Sequence, residues 1–111
     1  MAKNLTFYRG ATQTFNARIR PIELEPGDIV YFTVKANYDD DMTDSSALIK
    51  KDVTASIAGD TISFELTPQE TNILPGRYVY DIIANFTDNG RVPILNGKLK
   101  ITPAVTLRGI E

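Results

Sequence analysis

The densest chemistry in the chain is a run of carboxylates. Asp39, Asp40, Asp41 and Asp44 fall within Asn37-Tyr38-Asp39-Asp40-Asp41-Met42-Thr43-Asp44-Ser45-Ser46. Hard cations take several oxygens from one flexible loop, so calcium is the first chemistry to consider. The spacing Asp39-x-Asp41 matches the opening of an EF-hand loop. No glycine stands at its turn position, however, and no glutamate closes it at its twelfth residue. The run reads as a solvated hairpin tip, and no metal site is predicted.

Catalytic constellations are thinner. Ser45 and Ser46 have no histidine partner anywhere in the 111 residues. A serine–lysine pair with Lys50 or Lys51 would need a buried lysine of lowered pKa, and these two flank a polar loop. Glu65, Glu70 and Asp81 supply carboxylates of the kind that do glycoside chemistry. A sandwich of this length leaves little room for a walled cleft around them. The chain has no cysteine either, which removes disulfides, thiolate metal sites and cysteine nucleophiles. No enzymatic activity and no cofactor are predicted.

What remains is recognition chemistry. Arg18 and Arg20, two residues apart, share an outward face and can meet carboxylates of a partner. Tyr8, Tyr31 and Tyr38 are candidate exposed aromatics, able to anchor an interface or stack on a sugar. The formal net charge of -2 gives no electrostatic case for nucleic acid. No apolar run approaches the roughly 18 residues of a membrane span, and the N-terminus shows no signal-peptide core. The expectation is a soluble protein, kept inside a cell or carried into an assembly, with no membrane partner.

These groups must be carried by strands. The length argues for one domain over residues 1–111, and a hydrophobic content of 42% with 23% charged residues is globular. Met1 to Asn4 reads as a loose arm. Leu5–Tyr8 is a short strand before the break at Arg9-Gly10. Thr14–Arg20 alternates, with Phe15, Ala17 and Ile19 on one face. Pro21–Asp28 is a connection. Ile29–Lys35 follows, with Val30, Phe32 and Val34 inward. Ala47–Lys51 is an edge strand with Leu48 inward and lysines that discourage aggregation. Val53–Ile57 and Thr61–Leu66 form a hairpin around Ala58-Gly59-Asp60.

Thr67-Pro68-Gln69-Glu70 carries a helix-start signature: an N-cap, a proline at the first position and a capping-box glutamate. One or two helical turns are predicted to about Leu74, with Ile73 and Leu74 tucked beneath the sandwich. Pro75-Gly76 then launches the central strand. Its inward stripe is Tyr78, Tyr80, Ile82, Ala84 and Phe86. Asp88-Asn89-Gly90 suits a type I′ hairpin. Arg91–Ile101 returns beside the central strand and changes face near Asn96-Gly97, which predicts a bulge at Gly97. Pro103 ends it, and Val105–Leu107 reads as a short extension or a connection to a following element.

Seven to eight short strands with regular turns predict an all-β, immunoglobulin-like sandwich of antiparallel strands, with one short helical turn before the penultimate strand. The Gly76-x-Tyr78-x-Tyr80 stretch resembles the corner of an immunoglobulin-type fold. Tyr78 would be the corner tyrosine bonding back to the backbone, and Tyr80 would take the inner site of the antibody cysteine.

Several stretches read together point to a family. They are Phe7-Tyr8-Arg9-Gly10 with Thr12-Gln13-Thr14-Phe15, Val30 to Lys35, Phe64 to Thr71, Leu74 to Ile82, and Pro93 to Ile101. Their order resembles the N-terminal domain of the phage baseplate upper protein family and related small immunoglobulin-like virion proteins of phages and prophages. The similarity covers nearly the whole chain. It implies a rigid, non-enzymatic module that docks onto a particle assembled in the host cytoplasm, with other virion proteins as partners and a homo-oligomer as a further option. Family members often continue into a receptor-binding or coiled segment. The alternative reading is a carbohydrate-binding module using the exposed tyrosines and the acidic loop.

Overall fold

A computed structural model describes residues 3–37, 47–88 and 90–106. The described residues form eight strands: β1 (Leu5–Tyr8), β2 (Gln13–Arg18), β3 (Ile29–Lys35), β4 (Ile49–Asp52), β5 (Ile57–Ala58), β6 (Thr61–Leu66), β7 (Gly76–Asn85) and β8 (Arg91–Thr102). They form two sheets. One has the order β1-β8-β7-β3-β4 and the other β2-β6-β5. The fold is an immunoglobulin-like β-sandwich. Neighbouring strands are antiparallel except β1 and β8, which run parallel.

Alternation builds the core, because successive side chains on a strand point to opposite faces. Val30, Phe32 and Val34 of β3, Ile62, Phe64 and Leu66 of β6, and Tyr80, Ile82 and Ala84 of β7 are all buried. Phe15 and Phe64 from one sheet meet Phe32 and Tyr80 from the other. The Phe15 and Phe64 rings stack at 4.9 Å, and Phe32 lies 5.1 Å from Phe64 and 5.8 Å from Tyr80. Each such pair adds about 0.5–1.5 kcal/mol beyond area burial, so this quartet joins the two layers at their centre.

Several elements depart from the sequence expectation, each for a local reason. Lys3 and Asn4 are not a loose arm. The Lys3 N–H donates to the Asn96 carbonyl at 2.8 Å, and the Tyr80 hydroxyl donates to the Lys3 carbonyl. In the edge strand β4 it is Ile49 that is buried, whereas Leu48 is 44% exposed. The register sets this, since Ile49 lies opposite the inward Val34.

Of the predicted strand Val53–Ile57 only Ile57 is extended, opening the short β5 that pairs with β6 as the hairpin requires. Asp52 accepts both the N–H and the hydroxyl of Thr54, an Asx-type turn that draws the chain into a 3₁₀ turn over Thr54–Ser56 and leaves Ala55 exposed. The capping box does close, with the Thr67 N–H on Glu70 at 2.8 Å and the Glu70 N–H on Thr67 Oγ1 at 3.2 Å. It ends in a hydrogen-bonded turn, not a regular helix. Ile73 packs on the core, but Leu74 is 71% exposed.

The bulge in β8 sits at Ile94, not at Gly97. Ile82 pairs with Leu95 while Ile83 pairs with Pro93. Gly97 is instead buried beneath Lys3, where a Cβ would come 2.0 Å from the Lys3 carbonyl oxygen. The β7–β8 turn is wider than a two-residue loop. The ladder ends at Asn85 and Arg91, and the Phe86 N–H closes onto the Gly90 carbonyl at 2.8 Å. Asn89 lies outside the described residues. β8 ends at Thr102 before Pro103, and Val105 is exposed.

Candidate functional site

A set of side-chain hydrogen bonds ties the corner before β7. Tyr78 donates its hydroxyl to the Leu74 carbonyl, four residues upstream, as expected of a corner tyrosine. Tyr80, two residues on, is buried in the inner site. Gly76 opens the strand, paired with Ile101. Thr71 is buried and donates to the Ala11 carbonyl at 2.7 Å, while the Gly10 N–H reaches the Thr71 carbonyl at 3.3 Å. Arg9 Nε adds a bond of 3.0 Å to Asn72 Oδ1. The corner therefore holds the β1–β2 connection, which gives Arg9 and Gly10 a structural role.

The three carboxylates considered for catalysis lie on separate elements. Glu65 is exposed on β6, and Asp81 lies on the outer face of the five-stranded sheet, opposite Asn96 and Thr33. Glu70 holds Lys51 through both carboxylate oxygens at 3.1 Å. Burial pushes the Glu70 carboxyl up, but the Thr67 N–H and the Lys51 ammonium outweigh it and hold the group below its ordinary value. Lys51 lies opposite the inward Phe32, so its stem faces the core side and its charge returns to Glu70. Lys50 points outward and is exposed. Among the described residues no three His, Cys, Asp or Glu side chains gather to hold a metal ion. No helix among them is long and apolar enough to cross a membrane.

The predicted recognition residues are dispersed. Tyr8 is 50% exposed at the end of β1 and Tyr31 39% exposed in the middle of β3. Two strands separate β1 from β3, and the rows of the two rings lie roughly 25 Å apart along the sheet at about 3.3 Å per residue. Arg18 is exposed on the other sheet. Arg20 follows β2 and lines a hollow of about 570 Å³ with Ile19, Pro21, Ile22, Phe86, Val92, Pro93 and Ile94. Tyr38, Asp39, Asp40, Asp41, Asp44, Ser45 and Ser46 lie outside the described residues.

Sequence reasoning missed two features. Asp28 is buried and accepts the N–H of Glu25 at 2.8 Å and of Thr87 at 3.0 Å, bracing the β2–β3 connection against the β7–β8 turn. An aspartate closing Pro26-Gly27-Asp28 carried the local half of that signal. The second is an outward row of Pro93, Ile83 and Tyr31 across β8, β7 and β3. It joins three non-polar positions on the outer face of the five-stranded sheet.

No protein-family model matches the chain, and no curated protein matches it. Among solved structures, the fibronectin(III)-like modules of Clostridium thermocellum CbhA are similar to it. The identity is 13% over 94% of this chain and 92% of that chain, with a TM-score of 0.46.

Proposed function

We propose that the chain is a non-enzymatic virion module, a tail or baseplate component that contacts other virion proteins and, at its free edges, further copies of itself. The observation that carries a contact role is the outward row of Pro93, Ile83 and Tyr31. Non-polar groups spread over three adjacent strands suit a protein partner, and aromatic anchors are over-represented at such contacts. The assignment to a virion is supported by the family resemblance in sequence. The corner stretch that carries much of it, Leu74 to Ile82, also makes the Tyr78 and Tyr80 bonds to the Leu74 and Lys3 carbonyls. A rigid sandwich suits docking, because little ordering entropy is lost on contact.

The test is co-fractionation. Antibody against the chain should follow intact particles through a density gradient, and adjacent reading frames should encode tail or capsid proteins. A chain that stays with the soluble fraction, among genes unrelated to particles, ends the proposal. Saturable binding on a glycan array would move it to the carbohydrate-binding alternative.

A further inference from the structure

Three cations stand together on the outer face of the five-stranded sheet. Arg77 and Lys100 are direct partners across the β7–β8 ladder, with Thr6 of β1 completing the row. Lys98 lies two residues before Lys100 on the same face, opposite Val79. All three are exposed, and none has an ion pair among the described residues. Like charges placed directly opposite each other in a sheet are destabilising, so folding does not account for the placement. It is also a local reversal of sign in a chain of net charge -2. The cations border a shallow hollow of about 430 Å³, whose rim adds Asn4 and Asn37.

We propose that this hollow docks an acidic segment of a partner polypeptide, with carboxylates on Arg77, Lys98 and Lys100. Charge complementarity selects the occupant, and the planar fork of Arg77 matches a carboxylate in two bonds. Nucleic acid suits the hollow less well. Tight phosphate binding draws on about six to ten contacts, and single strands need aromatic platforms. The ring that lines this hollow, Tyr78, packs against the core instead. That the partner is a protein rests on the assembly reading above; the patch itself rests on the strand register.

The experiment is fluorescence anisotropy of a fluorescein-labelled oligoglutamate peptide with the full chain. Binding should saturate and weaken at least about fivefold between roughly 50 and 300 mM salt. The double variant Lys98→Glu/Lys100→Glu should lose about tenfold or more in affinity, with a thermal midpoint no lower than the parent's, because the new carboxylate at position 100 would face Arg77. Arg77→Lys, which keeps the charge and removes the fork, should lose less. Arg18→Glu, on the opposite sheet, should bind as the parent does. Absence of peptide binding, binding that survives the double variant, or tighter binding of a single-stranded oligonucleotide or a sulfated glycan overturns the proposal. Particle co-fractionation is independent of all these outcomes, so the patch can fail while the assembly reading stands.

Discussion

Gly97 is buried in the middle of β8, and its missing side chain lets the N-terminal segment lie against the sheet. Gly97→Ala would place a methyl 2.0 Å from the Lys3 carbonyl oxygen. The segment must then lift, losing the Lys3–Asn96 bond and the Tyr80 hydroxyl's acceptor. A loss of about 2–3 kcal/mol is expected in denaturant unfolding, with faster amide exchange confined to β1. Unchanged exchange there would contradict this packing. Carboxylates set the pH response. Asp28 is held low by the Glu25 N–H and then that of Thr87, and Asp52 by the Thr54 hydroxyl and then its N–H. Glu70 is also lowered, burial notwithstanding. A group whose folded pKa lies below its unfolded one stabilises the protein above the unfolded value. That contribution is lost as pH falls through the folded value. With no histidine and no cysteine, the thermal midpoint should be flat from about pH 7.5 to 5.5 and fall below about pH 4.5. A midpoint that rises on acidification would show that these carboxylates are not stabilised by their donors.

At the scale of the element, alternation was legible and its interruptions were not. β2, β3, β6 and β7 bury the faces that their sequences predict, because period two leaves one apolar choice. Val53, Ala55 and Ile57 mimic that period, but Asp52 and Thr54 bond locally and win. The face change in β8 was visible, yet glycine drew attention away from Ile94, since Gly97 is small for Lys3's sake. The bulge also fixes the register of the basic hollow. Counting from the pair Asn85 and Arg91 without it sets Arg77 opposite Leu99. The shift replaces Leu99 with Lys100 and brings the cations to one face. Of the predicted interface residues, sequence identified exposure for Tyr8, Arg18, Arg20 and Tyr31 but could not say that they lie apart. The corner offers an element-level test. Thr71→Val keeps the shape and strands the Ala11 carbonyl, and about 1–3 kcal/mol should be lost, with Thr71→Ser recovering most of it. Equal stability of the valine and serine variants would show that the Thr71 hydroxyl does not hold the corner.

For the molecule as a whole, two sheets meet through one aromatic quartet, and the chain enters and leaves on neighbouring strands of the same sheet. β1 and β8 run in the same direction over four register pairs, extended by the Lys3–Asn96 and Arg9–Thr102 bonds. A pull applied at Lys3 and Thr106 therefore drags the two strands past each other along their axis. The bonds between them share that load and must break together. A pull at Arg77 and Thr106 meets antiparallel partners at one end of the sheet, and their bonds open in succession, like a zip. In optical-tweezer stretching the first geometry should give a single abrupt rupture at the higher force, and equal forces in both would refute it. A module wired in this way would carry tension between whatever is fused to its two ends, behaving as a tether as well as a spacer.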